Sequence, residues 1–329
     1  MEVKMQKMSR RKALQYLLAG TAVAATAPFL ESCRRAVTEP PTFPTTSANN
    51  IEATATAADL PYLAVARNAE PDALVRAAVD AIGGMSRFVP YGGWVIVKPN
   101  ICTSYYPYEY AATTNPWVVG TLVKMCFEAG AGKVQVMDYP FGGSPEEAYQ
   151  TSGIAEQVEA NGGEMVVMSS FKFKDTKIEN ALGLHNIPIY EDVFQADALI
   201  NVPIAKHHGM SWLTLGMKNL MGLIENRERI HRDFGKLLTD LAGKIKPQLT
   251  VIDAVRILTN NGPTGGNLAD VTKLDTVIAS PDIVASDSYA ATLFGLQPSD
   301  LDYVRVGAEN GLGRSDLENL NIKEIDLVA

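Results

Sequence analysis

Three lysines and two asparagines occupy positions where a sheet protein would build a binding site. Lys98 and Asn100 follow the apolar run Trp94-Val95-Ile96-Val97. Lys206 and the pair His207-His208 follow the run Ala198-Leu199-Ile200-Asn201-Val202. A third run, Leu249 to Ile252, ends at Asp253, with Asn260-Asn261-Gly262-Pro263 beyond it. In open α/β sheets, ligands sit past the carboxyl ends of the strands. If the three runs are neighbours, their polar ends meet in one cleft. Lys98, Lys206 and Lys218 would there neutralise an anion, and Asn100 and Asn219 would orient it. Taken singly, each cluster also reads as a solvated loop.

The segment Leu213 to Gly222 carries the next set. A helix is expected from about residue 212 to 223, which places Thr214 and Lys218 four apart on one face, with Asn219 beside them. Lys218 is flanked by Met217, Leu220 and Met221, so its side chain is expected to be partly buried. A buried amine costs stability unless it is paired or its pKa falls. That makes Lys218 a candidate anion clamp or general base. The alternative is a lysine whose stem packs while its ammonium reaches water. His207, His208 and His231 are close in sequence, and His208 with Asp253 would do acid–base work. His208, His231 and Asp253 are also the expected ligands of a divalent metal. The expected catalytic groups are therefore Lys218, His208 and Lys206. The expected substrate-binding groups include Lys98, Asn100, Thr214 and Asn219. Gly142-Gly143-Ser144, between a strand and a helix, would suit an anion at a helix N-terminus. No HExxH, GxGxxG, Walker or GxSxG motif is present, which argues against a zincin, a dinucleotide fold and an elbow-type serine hydrolase.

The elements that would position these groups alternate along the chain. Tyr62–Ala66 reads as a strand, and Asp72–Ile82 as a helix stopped by Gly83-Gly84. Pro116–Ala129 reads as a helix with Asn115 as N-cap and Gly130 as its stop. Val134–Met137 and Met165–Met168 read as strands around a helix from Pro145 to Asn161. A polar loop is expected after Val202. Helices are expected over Phe234–Ile245 and Ile283–Leu293, and a strand over Val277–Ala279. Several strands are continuous apolar runs. This predicts an α/β fold with a mostly parallel sheet and helices on both faces, a Rossmann-like layering.

Composition sets the outer bounds. The 329 residues are 47% apolar and 20% charged, ordinary values for a globular protein. Net charge is −8, although Lys4, Lys7, Arg10, Arg11 and Lys12 crowd the N-terminus. The remainder is more acidic still, and no nucleic-acid partner is expected. The three cysteines, Cys33, Cys102 and Cys126, form no CxxC pair. Neither a cysteine-type zinc site nor an iron–sulfur cluster is expected. Cys102 and Cys126 are either a disulfide or two small buried hydrophobes.

The N-terminus reads as an address. A basic head ending in Ser9-Arg10-Arg11-Lys12-Ala13-Leu14 precedes a weakly apolar run to Leu30, the layout of an export signal. Its adjacent arginines resemble the twin-arginine signal, whose export machinery is then a partner. Leu30-Glu31-Ser32-Cys33 resembles a lipobox, which would tether the protein to a membrane through a lipid on Cys33; release after cleavage near Ala24 is the alternative. Residues 34–60, rich in Pro, Thr, Ser and Ala, read as a disordered tether. The expected organisation is a signal over 1–33, a tether over 34–60 and one α/β domain, with two lobes as a variant, over 61–329. The location would be periplasmic or at the cell surface.

Val97-Lys98-Pro99-Asn100, Thr114-Asn115-Pro116 and Asn201-Val202-Pro203 with Lys206 and His208 resemble the DUF362 family. The likeness continues through Thr214, Lys218-Asn219, Gly222, His231, Asp253 and Gly262-Pro263 to Asp282 and Asp287, and covers about residues 61–300. It adds Thr114 to the expected substrate-binding groups. The family name implies no reaction. Some members carry attached iron–sulfur modules, whose clustered cysteines this chain lacks. The resulting expectation is an exported enzyme acting on a small anionic substrate, with a divalent metal as one variant. The alternative is a tethered protein that binds an anionic solute or metal without catalysis.

Overall fold

The computed structural model describes residues 60–328. The expected signal and the tether up to residue 59 lie outside the described residues.

The chain begins with β1 (Leu63–Arg67) and α1 (Pro71–Ala81). Pro71 opens α1, where its missing N–H costs nothing, and Leu74, Val75, Ala78 and Val79 form its buried stripe. β2 (Trp94–Pro99), α2 (Pro116–Glu128) and β3 (Lys133–Val136) make a βαβ unit. Asn115 caps α2 by accepting from the Trp117 N–H, as its side chain predicts. The expected helix over 145–161 is two helices, α3 (Pro145–Thr151) and α4 (Ile154–Ala160). Gly153, at φ 74°, turns the chain left-handed between them. β4 is only Glu164–Met165, shorter than expected. β5 (Phe173–Lys177) and β6 (Asn186–Tyr190) form a separate antiparallel pair.

The region of the candidate site departs most from expectation. β7 (Ala198–Val202) is followed by another strand, β8 (Ile204–His208), and not by a polar loop. Pro203 interrupts the ladder between them, and both strands pair with β10 (Leu249–Leu258). β9 (Trp212–Thr214) folds back on β8, with Lys206 opposite Thr214. The expected helix over 212–223 is therefore a strand followed by a single turn, α5 (Gly216–Asn219), and a 3-10 turn over Leu220–Leu223. α6 (Phe234–Ile245) matches its prediction residue for residue. β10 runs on past Asp253, so that carboxylate lies inside a strand and not at its end. β11 (Val271–Ser280), α7 (Ile283–Thr292), α8 (Asp302–Glu309) and β12 (Ile322–Asp326) complete the described chain.

The main sheet has the order β12-β1-β11-β10-β7-β2-β3-β4. Along this path β11 alone runs against its neighbours, so the sheet is mostly parallel. Side chains of successive strand residues enter opposite cores. On β10, Val251 and Val255 join the core under α1, α2 and α4, while Ile252 and Ile257 join the core with α6 and α7. Helices thus cover both faces, which explains the continuous apolar strand sequences.

Asp287, fully buried on α7, fixes α5 by accepting from the Gly216 and Met217 N–H groups at 2.6 and 2.9 Å. Removing it leaves two buried donors unpaired. Asp287→Ala is expected to cost about 2–4 kcal/mol in urea unfolding, whereas replacement of the exposed Asp302 changes stability by less than about 0.5 kcal/mol.

Candidate functional site

Two strand ends, a hairpin, a short helix and a 3-10 segment deliver the site. The carboxyl ends of β2 and β3 supply Lys98, Asn100 and Asp138. The β8–β9 hairpin supplies Lys206, His208 and Thr214, which share a face because i and i+2 residues and cross-strand partners project together. α5 supplies Lys218 and Asn219. The segment Arg227–Arg232 closes the far side with Arg227, Glu228 and His231. These residues, with Cys102, Tyr139, Phe141, Met221, Gly222 and Pro263, line one cavity of about 330 Å³. β2 and β7 are paired neighbours, with Lys98 opposite Asn201, and β7 also pairs with β10, so the three expected runs are neighbours; the third brings Pro263, not Asp253, to the cavity.

Asn219 organises the floor. Its Oδ1 accepts from Lys98 Nζ at 2.8 Å and Asn100 Nδ2 at 3.0 Å. Its Nδ2 donates to the Lys98 carbonyl at 3.2 Å and to Asn201 Oδ1 at 2.9 Å. All four hydrogen-bonding positions of the amide are filled.

The three cavity lysines differ in their surroundings. Lys98, 1% exposed, pairs with Asp138 Oδ1 at 2.8 Å. Burial pulls its pKa down, against the Asp138 carboxylate that holds it up. A side chain at Gly222 would collide with Asp138 and Lys98, so the ion pair requires glycine there. Lys206, also 1% exposed, donates to Asn100 Oδ1 at 3.0 Å, the Ala112 carbonyl at 2.6 Å and the Pro263 carbonyl at 3.0 Å. Cys102 Sγ lies 3.4 Å away. These acceptors are all neutral, and among the described residues no carboxylate pairs with Lys206. Lys218, 6% exposed, has Met221 Sδ at 3.7 Å and the Phe234 ring centroid at 4.9 Å. Burial first, then the charges of Lys206 and Arg227, push its pKa down to about 7.

His208 is a donor to the cavity and not a base. Its Nδ1 accepts from the Met210 and Ser211 N–H groups at 3.1 and 3.3 Å, which puts the proton of the neutral ring on Nε2. Burial first, then Lys218, Lys206 and the other histidines, lower its pKa to about 3. The Thr214 hydroxyl lines the same cavity and has no partner among the described residues. Arg227 donates to the Tyr139 carbonyl at 2.9 Å and stacks on the Tyr139 ring. Among the described residues Lys206, Lys218 and Arg227 form no ion pair, while Lys98 and Asp138 cancel each other.

Three expected roles need correction. Thr114 does not reach the cavity. It stands behind Asn100, accepting from the Asn100 N–H and donating to the Val202 carbonyl, both at 2.8 Å. Asp253 does not join His208 and His231. Its oxygens accept from the Asn115 and Val255 N–H groups at 2.7 and 3.0 Å, and it locks α2 to β10. The histidine rings are neighbours, 6.4 Å apart at their centroids, but among the described residues no three His, Cys, Asp or Glu side chains are placed to hold a metal. Ser144 caps α3 in a closed capping box with Glu147, so that helix end is already filled. Cys102 and Cys126 are both free and buried.

A family described as a domain of unknown function, DUF362, matches residues 95–292. The chain belongs to the DUF362 family. Every cavity-lining residue of this DUF362 protein lies within the matched span. A thylakoid-associated protein of Synechocystis sp. is 27% identical over 255 residues, 75% of this chain and 77% of that one. Among solved structures, the lactate racemase apoprotein of Thermoanaerobacterium thermosaccharolyticum is 14% identical over 64% of this chain, with a TM-score of 0.40. A Thermotoga maritima protein is 11% identical over 68%, with a TM-score of 0.35. This chain spans 53% and 58% of those two structures, and likenesses at this level carry no functional reading.

Asp138 and Arg227 were not foreseen from the sequence. Asp138 follows an expected strand directly, so the strand-end rule would have found it. Arg227 sits among charged residues with no pattern that marks it.

A lysine held near pH 7 in the folded state but titrating at 10.5 when unfolded carries a destabilising charge below pH 7 that fades toward pH 10.5. The charged and titratable groups facing it are Lys206, Arg227, His208 and His231. Lys218→Met is therefore expected to be more stable than the parent at pH 7, by roughly 2–4 kcal/mol. The gain should shrink as pH approaches 10. Denaturant unfolding across that pH range checks both statements.

Proposed function

We propose that this DUF362 protein is an enzyme that binds a small anionic substrate in the β2–β8–α5 cavity, with Lys218 as the group that acts on it. The observation that carries this reading is the charge imbalance of the cavity wall. Lys206, Lys218 and Arg227 line one cavity and form no ion pair among the described residues; of its carboxylates, Asp138 is paired with Lys98 and Glu228 is exposed, so an anionic ligand would supply the missing charge. Burying unpaired cations costs stability, so their retention side by side points to a function.

Roles follow from the surroundings of each group. Lys206 and Arg227 supply fixed positive charge. Thr214 Oγ and His208 Nε2–H supply neutral donors. Lys98 and Asp138, already paired, hold Asn219 and Asn100 in place. Lys218 is the one cavity lysine whose amine is neither caged by oxygens nor paired, and it exchanges a proton near neutrality. A second reading, solute binding without turnover, rests on the same wall. It is favoured by the full engagement of Lys206 and of His208 Nδ1, which leaves Lys218 without a partner base.

The N-terminal sequence supports a proposal about location. Arg10-Arg11 with the apolar run behind them would send the folded protein out of the cytoplasm, and a lipid on Cys33 would tether it. Among the described residues no helix is long and apolar enough to cross a membrane. Replacing Arg10 and Arg11 with lysine is expected to leave the full-length precursor in the cytoplasmic fraction; unchanged export would refute the assignment.

Calorimetric titration with inorganic phosphate, acetate and malonate tests the site. Binding of at least one anion is expected. The affinity should weaken as pH rises above 7, about tenfold per unit until the pKa of the complex is reached. Lys218→Met should lose most of the affinity and the pH dependence. No binding by the parent protein, or unchanged binding in Lys218→Met, sinks the proposal. Binding without turnover of any substrate that binds would favour the solute-binding reading.

A further inference from the structure

We infer that Lys218 is a nucleophile that condenses with the carbonyl of a short oxo acid to form a Schiff base. This rests on the anion-site reading and names its substrate class.

The geometry separates Lys218 from the other cavity amines. Lys98 Nζ is bound to Asp138 and Asn219, and Lys206 Nζ to three oxygens. Both amines are engaged by these partners. Lys218 Nζ touches a thioether sulfur and faces an aromatic ring. These neighbours do not compete for its protons, and a free amine in such surroundings is nucleophilic. Two flanking cations, Lys206 and Arg227, further favour its neutral form, which the lowered pKa agrees with. The same cations attract a carboxylate. An acid held by them, with a carbonyl one or two carbons from the carboxylate, would bring that carbonyl to the adjacent amine.

The apolar part of the wall fits the chemistry. Phe141, Tyr139 and Met221 line the cavity beside the polar floor. They would pack against the carbon chain of the acid. The unpartnered Thr214 hydroxyl is available to the oxygen of the carbonyl as charge develops there.

The step balances without an outside oxidant. The neutral Lys218 amine donates its lone pair to the carbonyl carbon, and the carbonyl π pair moves to oxygen. A proton passes from nitrogen to that oxygen and gives a carbinolamine. Loss of a second nitrogen proton together with the hydroxyl group forms the C=N bond and releases one water.

Borohydride trapping on the full chain tests this, with pyruvate as a 2-oxo acid and acetoacetate as a 3-oxo acid. At pH 7 the parent protein should gain the mass of one acid less one oxygen atom, with the adduct mapped to Lys218 by peptide digestion. Either acid trapped there supports the assignment, and the arm that reacts fixes the carbonyl position. Lys218→Arg, which keeps the charge and cannot form the imine, should bind the acids within about tenfold of the parent but show no adduct. Adducts confined to Lys206 or to surface lysines would overturn the inference. So would thermal stabilisation by both acids with no adduct at all, although the anion site would then survive. If neither acid nor inorganic phosphate binds the parent protein, the inference and the site reading fall together.

Discussion

The site depends on one side-chain amide being completely satisfied. Asn219 sits on a single helical turn, which is too short to hold itself in place. Two contacts at opposite ends make up for this. Asp287 grips the turn from α7, and the Asn219 amide grips the ends of β2 and β7 through Lys98, Asn100 and Asn201. Because all four positions of the amide are used, its orientation is fixed. Lys98 and Asn100 are fixed with it, and through Asn100 so is Lys206. A buried polar network of this kind is stable only when each member is satisfied. Any group that loses its partner exposes the rest to the full cost of burial.

Within that frame, three lysines of identical chemistry take three roles because their environments differ. A carboxylate neutralises Lys98, and carbonyl dipoles cage Lys206. Only Lys218 is left to sulfur and an aromatic face. Environment, and not residue type, separates scaffold from chemistry, as in enzyme sites where two like groups are pushed to different pKa values. Under the proposed reading the arrangement trades stability for function. A cavity built for stability alone would place a carboxylate near Lys218 or replace it with a thioether side chain of similar length.

Much of the fold was legible because the apolar pattern reports burial on both faces. α6, the N-cap of α2 and the β2–α2–β3 unit followed from periodicity and caps. Errors collected where tertiary contacts overrode local signals. Thr214 and Lys218 have the spacing of a helix face, yet Thr214 belongs to a strand whose register is set by β8. Lys206 and His208 looked like loop residues because polar side chains in a strand make sense only if a polar cavity faces them. Asp253 looked like a strand end because a bare carboxylate in a buried strand is costly; two backbone N–H groups offset that cost. Lys98 and Lys206 were legible from their places after apolar runs, and Lys218 from its apolar neighbours. Arg227 was not, since its importance lies in what it faces across the cavity, whereas Asp138 stood at a strand end that the reading passed over.

Pro203 explains why such a site can form on this sheet at all. A parallel sheet ends in a row of carbonyls, and a pocket above it normally needs long loops. Here the β7 ladder is broken by a proline, and the chain then continues beside β10 as β8. That displaced strand rises past the ends of its neighbours and turns back through β9. It presents Lys206, His208 and Thr214 sideways, toward groups arriving from β2 and α5. The cavity is therefore walled by regular structure on two sides, and positions held by ladder hydrogen bonds vary less than positions on loops. For a reaction that needs one unpaired amine kept apart from two other lysines, that rigidity matters. Under the proposed reading, it keeps Lys218 free of a carboxylate partner and preserves the imbalance on which anion binding would depend.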